Sequence, residues 1–115
     1  MLITVMKSKI HRATITGGEL NYEGSISIDK SLLKAAGIYP HEKVQVVNLN
    51  NGQRFDTYVI EAEADSGEIC LNGPAARLGL TGDIIIIISY CHLKPEEISA
   101  HKTVVVNVDD KNRAL

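Results

Sequence analysis

The segment "IIIIISY", residues 84–90, decides the fold class of this 115-residue chain. Isoleucine is branched at Cβ and fits a pleated sheet surface, so five isoleucines in succession favour a strand over a helix. The run is far too short to cross a bilayer, which takes about 20 apolar residues in a helix. It therefore predicts a β-strand that is buried on both faces.

Further short strands are predicted on both sides of this segment. Strand patterns occur in residues 2–6, 12–16, 25–29, 43–49, 54–64, 68–71 and 103–108. The Asn-Asn-Gly sequence at 50–52 predicts a hairpin turn, because Asn and Gly tolerate positive φ. Strands this short and closely spaced favour a small barrel over an open sheet, in one domain over residues 1–115.

Helices are predicted only as short pieces. Asp29 is placed to cap a helix over "KSLLKAA", which Gly37 ends. A short helix with Pro74 near its first position is expected within residues 72–79, and one helical turn is expected in "KPEEIS". Residues 109–115 are expected to form a frayed tail.

Composition and charge argue against several classes of protein. The net charge of −2 leaves no basic field, so a nucleic-acid partner is not expected. Neither a signal peptide nor a membrane-spanning segment is predicted, and two cysteines fit a reducing compartment. The four histidines lack the spacing of a zinc site. We therefore expect a cytoplasmic protein that binds no metal and no membrane.

The pair Gly24–Ser25, within "NYEGSISID" (21–29), suggests chemistry on the backbone itself. Gly24 can reach conformations closed to other residues, and a serine hydroxyl can attack the preceding carbonyl, which exchanges the amide for an ester. Removal of the Ser25 α-proton then expels the upstream chain as a carboxylate. Water converts the remaining dehydroalanine into a pyruvoyl group and ammonia. Such a ketone can form a Schiff base with an amine and accept electrons from a breaking bond.

Polar residues elsewhere in the chain could serve such a group. Cations, phenols, a hydroxyl and a turn with free amides are supplied by Lys9, His11, Tyr22, Arg54, Thr57, Tyr58 and "NGPAA" (72–76). Taken singly, each is an ordinary surface, strand or turn residue.

In combination and in order, these segments resemble the pyruvoyl-dependent aspartate 1-decarboxylases. The matching segments are "KSKIHRATIT" (7–16), "NYEGSISID" (21–29), "AAGI" (35–38), "NNGQRFDTYVI" (50–60), "NGPAA" (72–76) and "GDIIIIISY" (82–90). They cover nearly the whole chain, so the combination is specific although no single piece is.

The resemblance implies a mainly β fold, namely a small six-stranded double-ψ β-barrel with short helices. It implies a homotetramer with active sites between neighbouring subunits, and self-cleavage at Gly24–Ser25 into chains of residues 1–24 and 25–115. It also implies that L-aspartate is converted to β-alanine and CO2 through a Schiff base on the pyruvoyl group, in pantothenate biosynthesis.

The resemblance also implies roles for individual residues. Ser25 matches the pyruvoyl precursor, Tyr58 the proton donor, and Thr57 a residue used in maturation and substrate contact. Substrate binding falls to Lys9, Arg54, Thr57, Asn72, Gly73, Pro74 and Ala75, with supporting roles for His11 and Tyr22. Pro74 has no N–H, so a backbone donor in that turn must be Gly73 or Ala75.

The chemistry of aspartate constrains where the cations act. Because the α-carboxylate must leave, a cation should hold the surviving β-carboxylate, and the planar fork of Arg54 suits that task. In a flat strand, however, Arg54 and Tyr58 share one face while Thr57 points away. We therefore predict either a bulge or strong twist near Asp56, or a site at an edge between subunits.

Residues 25–47 allow a second interpretation. The stretch "SISIDKSLLKAAGIYPHEKVQVV" also resembles the strand, short helix and strand of swapped-hairpin transition-state-regulator DNA-binding domains. The acidic balance of the chain and the lack of an arginine cluster oppose that alternative. Denaturing mass spectrometry separates the two, because only the decarboxylase interpretation expects the chain to split after Gly24.

Overall fold

The computed structural model describes all 115 residues, and β-strands dominate the fold. The strands are β1 (Ile3–Thr14), β2 (Gly17–Glu19), β3 (Ser25–Asp29), β4 (Lys43–Asn48), β5 (Arg54–Ala62), β6 (Ile69–Asn72), β7 (Ile84–Leu93) and β8 (Val104–Asn107). One α-helix, α1 (Lys30–Ala36), and two 3-10 helices at Gly73–Arg77 and Pro95–Ala100 complete the chain. No helix combines the length and apolar character that a membrane crossing demands. Every predicted strand overlaps an observed one, but residues 2–6 and 12–16 both belong to the continuous β1.

All eight strands belong to one sheet, in the order β2-β6-β3-β5-β4-β7-β1-β8. Only Ile15 and Thr16 separate β1 from β2, so the chain itself joins β2, at one end of this order, to β1, next to the other end, and closes the sheet into a barrel. If β1 and β2 are counted as one strand, six strands form the closed wall, in agreement with the prediction. β8 is added beside β1 as a parallel strand.

The barrel interior is filled by isoleucine, valine and leucine. The largest fully buried side chains are Ile10, Ile15, Ile26, Ile28, Leu32, Ile69, Leu71, Ile85, Ile87, Val44, Val46 and Val59. Along β7, Ile85 and Ile87 are fully buried, whereas Ile84, Ile86 and Ile88 are only half-buried. The prediction of burial on both faces is therefore correct for the inner face and wrong for the outer one, because a single copy of the chain covers the outside of β7 only in part.

Asp29 joins α1 to the barrel. Its buried carboxylate accepts hydrogen bonds from the backbone N–H groups of Ser31 at 2.8 Å, Asp65 at 3.0 Å and Gly67 at 2.9 Å. Gly37 adopts a φ of 69° just beyond the last turn and ends the helix. Both predicted helix boundaries are confirmed.

The C-terminal residues 109–115 are held to the barrel by one buried side chain and by backbone pairing. Asn112 is buried, and its Nδ2 donates to the carbonyl oxygens of Thr14 and Gly67, each at 2.8 Å. Its Oδ1 accepts the N–H of Thr14 at 2.7 Å. Ala114 also forms an antiparallel β-bridge with Val108, and the N–H of Leu115 donates to the carbonyl oxygen of Asn107 at 2.9 Å. The prediction of a frayed tail is therefore wrong.

An ion pair braces the loop between α1 and β4. The carboxylate of Glu42 lies 2.8 Å from Lys7 Nζ and accepts hydrogen bonds from the Ser89 hydroxyl and, at 3.0 Å, from the N–H of Tyr39. Burial acts to raise the pKa of Glu42, but the hydrogen bonds from Lys7 and Ser89 outweigh it, so the pKa lies below its ordinary value. The interaction links β1, β7 and this loop.

Candidate active site

The Gly24–Ser25 bond lies where an irregular segment enters β3. Gly24 has a φ of 120°, a region that glycine alone readily adopts. Gly73, with a φ of 65°, packs directly against this segment. A Cβ on Gly73 would lie 2.5 Å from the carbonyl oxygen of Tyr22 and 2.7 Å from the nitrogen of Gly24. The two glycines therefore allow two backbone segments to approach closely at the bond that is predicted to break.

Ser25 is completely buried at the start of β3, opposite Asn72 on the antiparallel strand β6. Asn72 Nδ2 donates a hydrogen bond to Ser25 Oγ at 2.9 Å and another to Ser27 Oγ at 2.9 Å. The Cys70 thiol donates to Asn72 Oδ1 at 3.4 Å. Both N–H groups and the carbonyl of this amide are thus engaged, and one N–H is directed at the hydroxyl that is predicted to attack the backbone.

These four residues, Ser25, Ser27, Cys70 and Asn72, form what we call the Asn72 cluster. They lie on the outer face of the barrel wall, because the residues that alternate with them are in the core: Ile26, Ile28, Ile69 and Leu71. Ser25 and Asn72 are nevertheless buried, at 0% and 4% exposure. The hydroxyl that is predicted to attack the backbone is therefore shielded from bulk water.

A cleft of about 310 Å³ opens beside Gly24. Its lining residues are Glu23, Gly24, Phe55, Asp56, Thr57, Tyr58, Pro74, Ala75 and Leu78. β3 pairs with β5 only from Val59 onward, so the preceding part of β5 has an open edge toward the Gly24 segment. Five of the predicted site residues thus share one cleft: Gly24, Thr57, Tyr58, Pro74 and Ala75.

β5 contains no bulge beside this cleft. It pairs with β4 in unbroken register from Arg54 to Tyr58, so the bulge predicted as one possibility near Asp56 is absent. Thr57 and Tyr58 leave opposite faces of the strand. Both nevertheless line the cleft, because the cleft lies at the open edge of β5, which both faces border.

The structure does not bring the two predicted cations into this cleft. Lys9 is on β1, which β7, β4 and β5 separate from β3 in the sheet. Arg54 is exposed, and its Nη1 donates to Gln45 Oε1 at 2.8 Å. Within one copy of the chain, neither Lys9 nor Arg54 lines the cleft, although Arg54 directly precedes the lining residue Phe55 on β5.

The two residues predicted to have supporting roles also lie elsewhere. His11, on β1, has a buried Nδ1 without a hydrogen-bond partner. Burial lowers the pKa of His11, and the positive charges of Lys9 and Arg12 lower it further. Tyr22 has a side chain that is 48% exposed, and only its backbone carbonyl approaches Gly73. No group of three or more His, Cys, Asp or Glu side chains is arranged to hold a metal ion.

Two members of the Asn72 cluster, Ser27 and Cys70, are absent from the residues predicted from the sequence. Each lies two positions from a predicted residue, Ser25 or Asn72, and residues i and i+2 of a strand share a face. That spacing is the only signal for them in the sequence, and it becomes informative once β3 and β6 are known to pair.

Fold and site first define a class of protein. It is a double-ψ β-barrel with a Gly–Ser pair on its outer wall, in which the glycine, Gly24, has a positive φ. The crystal structure of a rationally designed double-ψ β-barrel protein matches this chain with a TM-score of 0.50 and covers 69% of this chain and 91% of the designed one. The sequence identity is 15%, so this similarity shows the fold alone. The predicted barrel fold is confirmed.

Sequence comparison then narrows the class to one family. The model of the aspartate decarboxylase family matches residues 1–115, and the chain belongs to that family. It is 64% identical over 115 residues to the aspartate 1-decarboxylase of Caldicellulosiruptor bescii, and the alignment covers 100% of this chain and 90% of the relative. The aspartate 1-decarboxylase of Thermoanaerobacter pseudethanolicus is 60% identical, over 96% of this chain and 95% of the relative. That of Neisseria meningitidis is 57% identical, over 98% and 89%.

Family membership confirms the predicted resemblance and the predicted enzyme class, a decarboxylase. Membership of this family favours the decarboxylase interpretation of residues 25–47 over the DNA-binding alternative. Residues 25–47 form β3, α1 and nearly all of β4 inside one closed barrel, where β3 lies between β6 and β5.

Proposed function

We propose that this chain cuts its own backbone between Gly24 and Ser25 into chains of residues 1–24 and 25–115. The processed protein then decarboxylates L-aspartate to β-alanine and CO2 with a pyruvoyl group made from Ser25. The names of the similar aspartate 1-decarboxylases support the substrate. The β-alanine would serve pantothenate biosynthesis, and the cytoplasm is the proposed location of this metabolic step.

One observation carries the proposal. A buried serine hydroxyl directly follows a glycine at a φ of 120°, and an amide N–H is held 2.9 Å from that hydroxyl. The surroundings also fit a pyruvoyl group at position 25. The position is buried beside an open cleft, and the missing side chain of Gly73 leaves room for the backbone of Gly24.

The proposed cleavage uses only groups of this chain and one water. Ser25 Oγ adds to the carbonyl carbon of Gly24, and the C–N bond breaks to leave an ester and a free amine. Loss of the Ser25 α-proton and rupture of the Cβ–Oγ bond then release residues 1–24 as a carboxylate. One water is taken up and one ammonia is lost as the ketone forms. The Asn72 N–H stabilises the negative charge that develops on Oγ as its proton leaves.

The remaining residues of the cleft would bind and protonate the substrate. The pyruvoyl group, when present, supplies an electrophilic ketone that withdraws electrons from the carbon losing CO2. Tyr58 delivers a proton from its hydroxyl to that carbon, and Thr57 contacts the substrate from the same cleft. Backbone N–H groups of Gly73 or Ala75 are the candidates for binding a substrate carboxylate, since Pro74 has none.

The two cations enter the proposal through a second copy of the chain. Lys9 and Arg54 lie on the outside of the wall made by β1, β7, β4 and β5. Strand register places one row of residues straight across this wall: His11, Ile86, Val47 and Arg54. In the proposed homotetramer this wall meets the Gly24 cleft of a neighbouring copy. Arg54 would then hold the β-carboxylate of aspartate, with Lys9 beside it, and the half-buried isoleucines of β7 would be covered.

Denaturing mass spectrometry of the purified full chain tests the cleavage. We expect two species, residues 1–24 and 25–115, with the larger one lighter by one ammonia than a chain that begins with serine. Ser25→Ala should stay intact and inactive, because the attacking hydroxyl is gone. Preparations that release CO2 from aspartate while showing one uncut species would overturn the proposal.

Mixed oligomers test the sharing of sites between copies. Ser25→Ala lacks the cofactor but keeps Arg54, and Arg54→Ala keeps the cofactor. If a site combines residues of two copies, co-expression of these two inactive variants should restore a measurable fraction of the parental activity. Activity that stays at the level of the separate variants would place Arg54 and Ser25 in the same copy's site, contrary to the proposal.

A further inference from the structure

The Asn72 cluster supports an inference that rests on the proposed self-cleavage. We propose that Cys70 is a positioning residue for this cleavage. Its thiol fixes the Asn72 amide in the orientation that directs Nδ2 at Ser25 Oγ. Cys70 touches neither the bond that breaks nor the substrate, and it acts only through Asn72.

Strand register builds this arrangement from two cross-strand pairs that are separated by the inward-facing pair Ile26–Leu71. Asn72 lies opposite Ser25, and Cys70 lies opposite Ser27, on the antiparallel strands β6 and β3. All four side chains point to the same side of the sheet. The amide of Asn72 is therefore enclosed by three partners: the thiol on its carbonyl side, and the two hydroxyls on its NH2 side.

The orientation of this amide decides the role of the Ser25 hydroxyl. With Nδ2 toward Ser25, the hydroxyl oxygen accepts a hydrogen bond and its own proton is free to leave. With the amide turned over, Oδ1 would face the hydroxyl, which would then donate its proton to Asn72. The first orientation stabilises the charge that develops during attack on Gly24, whereas the second holds the proton on the attacking oxygen.

The environment of Cys70 keeps its thiol a donor. Burial raises the pKa of Cys70, and the carboxylates of Glu68 and Glu19 raise it further. The thiol therefore stays protonated and can donate to Asn72 Oδ1. β2 lies against it on the other side, since a Cβ built on Gly17 would be 3.9 Å from the sulfur.

A time course of cleavage tests the inference. The full chain is made by cell-free synthesis, samples are quenched at intervals, and denaturing mass spectrometry gives the ratio of intact chain to residues 25–115. Cys70→Ala should slow cleavage about fivefold, as expected for the loss of one neutral hydrogen bond. Cys70→Ser should restore the rate to within about twofold of the parent, because its hydroxyl also donates.

Cys91→Ala is the matched control. Cys91 is also a half-buried free cysteine, but it lies on β7 opposite Val5, away from the Asn72 cluster. Its replacement should leave the cleavage rate unchanged. Melting curves of the cysteine variants in a Ser25→Ala background, which cannot cleave, show whether each variant is folded.

A double mutant tests whether Cys70 acts through Asn72. Asn72→Ala should itself slow cleavage, and adding Cys70→Ala should slow it no further. A parental rate in Cys70→Ala, or a Cys70→Ser variant as slow as Cys70→Ala, would overturn the positioning role. These outcomes are distinct from failure of the proposed function, in which the parental chain itself does not split.

Discussion

Replacing Gly73 with alanine should stop or strongly slow backbone cleavage. At a φ of 65°, an alanine costs roughly 1–2 kcal/mol relative to glycine. Its Cβ would also lie 2.5 Å from the carbonyl oxygen of Tyr22 and 2.8 Å from Gly24 Cα, so backbone must move. Such overpacking costs about 1–3 kcal/mol more. The shift displaces Gly24 itself, and a penalty of about 1.4 kcal/mol at the reacting bond would already slow cleavage about tenfold.

Gly37→Ala is the matched control, because Gly37 has a φ of 69° and a Cβ there would meet nothing within 4 Å. Urea unfolding in the uncleavable Ser25→Ala background should show about 1–2 kcal/mol of destabilisation for Gly37→Ala and about 2–5 kcal/mol for Gly73→Ala. In chains that keep Ser25, timed mass spectrometry should show that Gly37→Ala cleaves at the parental rate and that Gly73→Ala does not. A Gly73→Ala chain that splits as fast as the parent would refute the reasoning.

Four further outcomes are expected. Tyr58→Phe should be processed normally but show kcat reduced about 10²–10⁴-fold in a β-alanine assay, because the proposed proton donor is lost; parental turnover would remove Tyr58 from that role. Arg54→Lys should raise KM for aspartate about tenfold in steady-state kinetics through loss of the bidentate contact, and an unchanged KM would assign the β-carboxylate to another group. Asp29→Ala should lower the free energy of unfolding by about 2–4 kcal/mol in urea titrations, since three backbone N–H groups lose their acceptor, and a change near zero would contradict this. The pKa of Glu42 is depressed in the folded state, so its contribution to stability should be complete above about pH 4.5 and be lost as pH falls further; if Glu42→Gln leaves the acid limb of the stability profile unaltered, another group is responsible.

Local signals in the sequence were sufficient for most elements of the fold, but they missed β2 and the continuity of β1. Asp29 and Gly37 bracket the helix because capping depends on a few adjacent residues. The Asn-Asn-Gly turn at 50–52 connects β4 and β5, as its tolerance of positive φ predicts. The parallel pairing of β8 with β1 and the hydrogen bonds of Asn112 join segments far apart in the sequence, so no local pattern indicates them.

The residues of the candidate site also differ in whether a local sequence signal indicates them. Gly24 and Ser25 are adjacent and could be identified as a pair, and the resemblance to one family added Thr57 and Tyr58, which lie in the cleft. The contact of Asn72 with Ser25 joins β6 to β3 and depends on strand register, which no local sequence pattern indicates. Lys9 faces outward from β1, whereas the cleft lies beside β3 and β5. An outward-facing side chain can reach only a site on its own part of the barrel surface, so Lys9 does not reach this cleft within one copy of the chain.

The first 24 residues contain all of β1 and β2, and β1 is hydrogen-bonded to β7 along nearly its whole length. A cut after Gly24 would therefore turn the barrel into an assembly of two fragments. The smaller fragment supplies one strand of the barrel wall and, through Ile10 and Ile15, part of the hydrophobic core. Unfolding such a molecule also separates its two fragments, and this adds a dependence of the melting temperature on protein concentration. The uncut chain has no fragments to separate, so this contribution is absent from it. Once denatured, the processed protein could refold only by reunion of its two fragments.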